Sequence, residues 1–143
     1  MLQLKALKFD NKTVYVDAVK TATWYDSLPS IANNAHCGCE DCCAYVEHIK
    51  HVSPELQAFF KTLGLDPTKE AEVWCANPDE LYYVADYHVS GEIKTVSELD
   101  WFTIGEASIG ITNITTLPST MIPTSFTLPL LEIIIKLSFR SGA

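Results

Sequence analysis

Two long stretches of alternating apolar residues constrain the fold more than any other feature of the sequence. One stretch runs from 81 to 93 and the other from 131 to 139. Successive side chains of a β-strand point to opposite faces, so the alternation predicts two strands that each bury one face. Such strands are typical of an antiparallel sheet that is covered on one side. The apolar positions are Leu81, Tyr83, Ala85, Tyr87 and Val89 in the first stretch, and Leu131, Ile133, Ile135, Leu137 and Phe139 in the second.

Shorter strand patterns occur before and between these two stretches. Apolar residues alternate around Leu4 and again at Val14 and Val16, and the turn-forming residues 10–12 between them predict a hairpin. Residues 24–31 mix aromatic and aliphatic residues with a proline, which favours a short strand or an irregular loop. The other predicted strands cover 71–76, 101–104 and 107–112.

The period changes to that of a helix in the middle of the chain. Apolar residues recur three and four positions apart from 40 to about 51, which predicts an amphipathic helix. A second helix is predicted from Pro54, with Ser53 as its N-cap, and ends at Gly64. The buried stripes are Cys42, Tyr45, Val46 and Ile49 in the first helix, and Leu56, Phe59, Phe60 and Leu63 in the second.

The order of these elements predicts the fold class. Strands come first, two helices follow, and the remaining strands come last, without the regular strand and helix alternation of a parallel sheet. We therefore expect an α+β fold, with a mostly antiparallel sheet or β-sandwich and a two-helix insert after the N-terminal strands. A chain of 143 residues is about the length of one domain, so we expect residues 1–143 to form a single domain.

Charge and hydropathy exclude two classes of partner. The chain has 10 basic and 18 acidic residues, a balance unsuited to binding the phosphates of nucleic acids. The most apolar segment, 128–139, contains Pro129, Glu132 and Lys136 and is shorter than the ~20 residues of a membrane span. The first residues of the sequence lack the uninterrupted apolar pattern of a secretory signal, so we expect a cytoplasmic protein. Exposed sheet edges would allow a homodimer or a protein partner.

A cluster of cysteines is the strongest chemical feature of the sequence. Cys37, Cys39 and Cys42 are two and three residues apart at the predicted start of a helix, a spacing that lets thiolates converge on one zinc ion. His36 precedes them and could supply a nitrogen ligand. The free N–H groups of the helix start would also stabilise thiolates there. The sequence thus predicts a structural or regulatory zinc site at these four residues.

Two other interpretations of the cluster stay open. Cys39 and Cys42 have the CxxC spacing of a thiol-disulfide oxidoreductase, with Cys39 as nucleophile, although the strand and helix order of a thioredoxin-like unit is missing. Alternatively, the cysteines have only a packing role, as Cys42 on the apolar stripe suggests. The common templates for hydrolases, zinc proteases and nucleotide binding are absent, which favours a protein without catalytic activity.

Aromatic residues of the central strands provide another candidate site. Trp74, Tyr83, Tyr87 and Trp101 would line an acidic, aromatic surface for a protein or a small ligand if they lay together. His88 falls on the strand face opposite Tyr83 and Tyr87, and we interpret it as an exposed or hydrogen-bonded sheet residue rather than a catalytic base.

Three segments together resemble a group of short uncharacterised bacterial proteins with an HCxCxxC segment. They are His36-Cys37-Gly38-Cys39-Glu40-Asp41-Cys42, then Gly64-Leu65-Asp66-Pro67-Thr68-Lys69-Glu70, and Tyr87-His88-Val89-Ser90-Gly91. The resemblance would cover most of the chain. It implies a bacterial cytoplasmic protein and brings no activity, substrate or catalytic residue with it.

Overall fold

The computed structural model describes residues 4–9, 12–33, 38–70, 72–93, 101–114 and 126–139. In these ranges the chain forms an antiparallel sheet of seven strands and three α-helices, which confirms the predicted α+β fold. The strands are β1 (Lys5–Phe9), β2 (Lys12–Val16), β3 (Glu72–Asn77), β4 (Tyr82–Ile93), β5 (Trp101–Ile104), β6 (Ala107–Ile114) and β7 (Leu130–Ser138). The helices are α1 (Ala18–Asp26), α2 (Glu40–Ile49) and α3 (Pro54–Leu63).

Strand β4 is the centre of the sheet. The strand order is β1-β2-β4-β7-β6-β5, and β3 pairs with β4 outside this path. Strand β7 pairs with β4 from Tyr82 to Ser90, whereas β3 pairs with its first half and β2 with its last three residues. All of these pairs are antiparallel. The strands thus form one sheet rather than two sheets of a sandwich.

The two faces of the sheet have different chemistry, as the alternation predicts. Helices α2 and α3 pack on one face, which we call the helix-covered face; there the ring centroids of Tyr45 and Tyr83 are 5.8 Å apart and those of Phe60 and Tyr87 are 6.2 Å apart. We call the opposite face, which carries His88, the polar face. Every second residue of β7 is buried on the helix-covered face, namely Leu131, Ile133, Ile135 and Leu137.

Helix α1 corrects the expectation of a strand or loop over 24–31. The helix begins after Asp17, whose carboxylate accepts a hydrogen bond from Lys20 N at 3.0 Å. Its buried residues Thr21, Trp24 and Tyr25 are three and four positions apart, a helical spacing that the nearby proline obscured. The described part of the insert between β2 and β3 therefore contains three helices. None of the helices in the described ranges is long and apolar enough to cross a membrane.

Helix α1 covers a part of β4 that lies between its pairings with β3 and β2. Asp17 N donates to Ser90 O at 2.9 Å, and Ser90 N donates to Thr21 Oγ1 at 2.9 Å. The hydroxyl of Tyr25 donates to His88 O at 2.8 Å. Backbone and side-chain groups of one helix thus satisfy backbone groups that a neighbouring strand would otherwise pair with.

Helix α3 begins and ends as its sequence predicts. Ser53 Oγ accepts a hydrogen bond from Leu56 N at 3.3 Å, and Gly64 follows the last turn with φ of 75°. Glycine adopts this left-handed conformation without strain. Gly64 also lies against the backbone of α1, because a Cβ at this position would be 2.1 Å from Ala18 O.

Candidate functional site

The cysteine cluster is only partly within the described residues. His36 and Cys37 lie outside them. Cys39 is the N-cap of α2, and its Sγ accepts a hydrogen bond from Cys42 N at 3.4 Å. Cys42 is buried on the core side of the helix, whereas Cys43 is exposed, and none of the described cysteines forms a disulfide. The helix start is therefore where the sequence predicts it, and the zinc site at this cluster stays a prediction.

The four aromatic residues of the predicted ligand surface lie on opposite faces of the sheet. Tyr83 and Tyr87 are buried on the helix-covered face. Trp74 and Trp101 are on the other face and are 46% and 41% exposed. Lys136 Nζ lies 4.4 Å from the ring centroid of Trp101, so a cation already occupies one side of that indole. These four side chains do not line one common surface.

The polar face carries a different cluster. Asp86 and His88 are two residues apart on β4, so both point to the same side, and Glu132 on β7 is the register partner of His88. One ligand-type atom from each of the three residues lies within 4.8 Å of the others. Across the described ranges, no other three cysteine, histidine or acidic residues bring their ligand-type atoms this close together.

The two carboxyl groups of the cluster are close enough to repel each other. Burial, followed by a hydrogen bond to Glu132 and repulsion by its charge, raises the pKa of Asp86 from 3.8 to about 9. Neither carboxyl group forms an ion pair with a lysine or arginine among the described residues. The protein therefore holds a proton on this pair at neutral pH, where a carboxyl group is ordinarily ionised.

Unsatisfied polar atoms border the cluster. Within the described part of the chain, two buried side-chain oxygens have no hydrogen-bond partner, Asp86 Oδ1 and Ser90 Oγ. Both belong to β4, and they lie on either side of His88 on the polar face. A buried polar atom without a partner costs about 1–3 kcal/mol, so two of them beside one histidine make this position a candidate site for a ligand.

His88 is held by a second carboxylate, that of Glu70. The Nδ1 atom of His88 lies 2.6 Å from Glu70 Oε1, and His88 N donates to Glu70 Oε2 at 3.0 Å. The Tyr25 hydroxyl lies 3.0 Å from the same Oε2 atom. His88 is 8% exposed and Glu70 is 5% exposed, so these hydrogen bonds are largely shielded from water.

The cluster has the donor atoms of a metal site. An imidazole nitrogen and two carboxylate oxygens suit Zn²⁺ and Mn²⁺, whose ligand atoms lie at most about 4 Å apart when all are bonded to one ion. The three ligand-type atoms of the cluster lie within 4.8 Å of one another, which is slightly wider than this spacing. Three protein ligands would leave coordination positions for water or another small molecule.

Parts of this cluster could have been found from the sequence. The alternation in β4 already places Asp86 and His88 on one face, opposite the tyrosines. Glu132 interrupts the most apolar segment of the chain, and a charged residue in such a strand is itself a signal. Glu70 and His88 lie in two of the segments quoted for the resemblance, but the resemblance assigns neither residue a role, and the link between them is visible only in three dimensions.

Comparison with known proteins gives no match. No protein-family model matches the chain, and neither a curated protein nor a solved structure shows significant similarity to it. The chemistry of the cluster is therefore the basis for assigning a function.

Proposed function

We propose that this protein binds a divalent metal ion through Asp86, His88 and Glu132 on the polar face of the sheet. The observation that carries the proposal is the convergence of the three ligand atoms within 4.8 Å, with the buried Asp86 Oδ1 lacking a hydrogen-bond partner. A cation at this position would accept that lone pair. It would also take the place of the proton that Asp86 retains next to Glu132, because a divalent ion stabilises both carboxylates in their ionised form.

The donor set indicates which metals the site would select. Two carboxylates and one imidazole are hard and intermediate ligands, suited to Mn²⁺ and Zn²⁺, whereas thiolates favour softer ions. We favour this site over the cysteine cluster because its ligand atoms converge. The thiolates of Cys39 and Cys42 remain a second location for Zn²⁺. The two titrations below, one with Mn²⁺ and one with Zn²⁺, use variants of each location to distinguish them.

We expect His88→Ala to lower the affinity for Mn²⁺ on the order of 100-fold or more, because the variant removes the single nitrogen ligand. Isothermal titration of the purified protein with Mn²⁺ measures this affinity. The matched control is His51→Ala, which removes an exposed histidine just after α2 and should leave the affinity unchanged. Equal affinity in the wild-type protein and His88→Ala would contradict the proposal.

A parallel titration with Zn²⁺ separates the two locations. Cys39→Ser keeps a good helix N-cap at the start of α2, so the variant should fold normally while losing a thiolate. We expect Zn²⁺ binding to fall in His88→Ala and to persist in Cys39→Ser. The reverse result would place the zinc ion at the cysteine cluster and overturn the assignment to the polar face.

A further inference from the structure

We propose that Glu70 is the positioning residue of this metal centre, holding the His88 ring in the one orientation and tautomer in which it can bind the ion. The inference rests on the proposed function of Asp86, His88 and Glu132. Glu70 itself is not a ligand in this scheme. Its role is to orient the His88 ring in the metal-free protein.

The two oxygens of Glu70 hold two different parts of His88. Oε1 is 2.6 Å from Nδ1 of the ring, and Oε2 accepts a hydrogen bond from the backbone N–H at 3.0 Å. A rotation of the ring would break the first contact, while the second keeps the carboxylate fixed against the strand. The ring orientation is therefore determined by a group anchored to the same residue's backbone.

The contact with Glu70 also decides which ring nitrogen carries the proton. A carboxylate only accepts hydrogen bonds, so Nδ1 must donate and must be protonated. In the neutral ring, Nε2 then keeps its lone pair, which is what a metal ion requires.

Helix α1 and the backbone conformation of Glu70 fix the carboxylate in turn. The Tyr25 hydroxyl lies 3.0 Å from Glu70 Oε2 and 2.8 Å from His88 O, so it contacts both members of the pair. Glu70 adopts a φ of 67°, a conformation that costs a non-glycine residue energy and that is concentrated at functional sites.

The test compares Glu70→Gln with Glu72→Gln. Both variants remove one negative charge, but Glu72 is exposed on β3 and acts on its register partner Asp86 through its charge, so Glu72→Gln controls for the loss of charge alone. We expect Glu70→Gln to lower Mn²⁺ affinity 10- to 100-fold and Glu72→Gln to change it less than about threefold. An equal effect of the two variants would show that Glu70 acts only through its charge and would overturn the inference.

A metal-free readout separates this inference from the proposed function. Nitrogen-15 NMR of the wild-type protein without metal should show His88 with a protonated Nδ1 and an unprotonated Nε2, and Glu70→Gln should shift the ring towards a mixture of tautomers. An unchanged tautomer in Glu70→Gln would overturn the positioning role, even if Mn²⁺ binds. Absence of Mn²⁺ binding in the wild-type protein would instead reject the proposed function.

A second variant tests the same inference in case Glu70→Gln does not fold. Tyr25→Phe keeps the aromatic packing of α1 and removes only the hydroxyl that contacts Glu70. We expect a three- to tenfold loss of Mn²⁺ affinity and a partial change in the His88 tautomer, since the carboxylate loses one of its anchors. A Tyr25→Phe protein that matches the wild type in both measurements would contradict the inference on its own.

Discussion

Asp86→Asn should stabilise the metal-free protein at pH 8 and at the same time abolish its binding of Mn²⁺. Burial and the neighbouring Glu132 raise the pKa of Asp86 from 3.8 to about 9 in the folded protein. The unfolded chain releases this proton above about pH 4, whereas the folded protein retains it, so the free energy of unfolding falls as the pH rises from about 4 to 9. The side chain of asparagine does not titrate, so the Asp86→Asn protein does not lose this part of its stability as the pH rises.

The expected gain in the free energy of unfolding depends on how exposed the carboxyl group of Asp86 is. Asp86 is partly accessible to solvent, which screens its repulsion from Glu132, so we expect about 2 kcal/mol at pH 8 and little difference at pH 4. Urea denaturation in the presence of a chelator at both pH values measures the effect. Asp26→Asn, at the exposed end of α1, is the control and should be neutral at both.

Metal should reverse the order of stability of the two proteins. Mn²⁺ at 100 times its dissociation constant would add about 2.7 kcal/mol to the wild-type protein at pH 8 and nothing to Asp86→Asn. A wild-type stability that stays constant between pH 4 and pH 8 without metal would contradict the account of the shared proton. A stabilisation of Asp86→Asn by Mn²⁺ would contradict its role as a ligand.

Gly64→Ala should destabilise the protein by about 3 kcal/mol or more. The position has φ of 75°, which strains any residue with a Cβ, and the new Cβ would be 2.1 Å from Ala18 O on the backbone of α1. Backbone atoms cannot rotate away, so α1 and α3 would have to separate. The midpoint of thermal or urea unfolding measures this loss.

Gly105→Ala is the matched control for Gly64→Ala. Gly105 also has a positive φ, of 56°, but a Cβ there would meet Ser53 Oγ, which belongs to a side chain that can rotate. Rotation of Ser53 would weaken the N-cap of α3, so we expect a loss of about 1–2 kcal/mol from the backbone strain and the weakened cap together. Similar losses in the two variants would show that the contact between α1 and α3 contributes less than the conformation of Gly64 does.

The sequence predicts the strands and two of the helices well because their patterns are local. Alternation places Tyr83 and Tyr87 on the buried face, and Ser53 and Gly64 delimit α3 as expected. Helix α1 is missed because its apolar residues overlap with a proline-containing stretch that is equally compatible with a strand or a loop. Local patterns do not resolve such an ambiguity.

Only part of the candidate site can be predicted from the sequence. Asp86 and His88 share a face by alternation alone, but Glu132 joins them through the pairing of β4 with β7, which depends on register. Glu70 reaches His88 from a turn with an unusual backbone conformation. Contacts of these two kinds follow from the tertiary fold and leave no pattern in neighbouring residues.

The hydrogen bonds between α1 and β4 occupy backbone groups that another copy of the chain could otherwise pair with. A strand with unpaired N–H and C=O groups is a template for adding a strand from another molecule, the first step of many aggregates. Asp17, Thr21 and Tyr25 occupy these groups at His88 and Ser90 with atoms that cannot continue a ladder. While α1 is in place, these backbone groups are therefore not available to a strand of a second molecule.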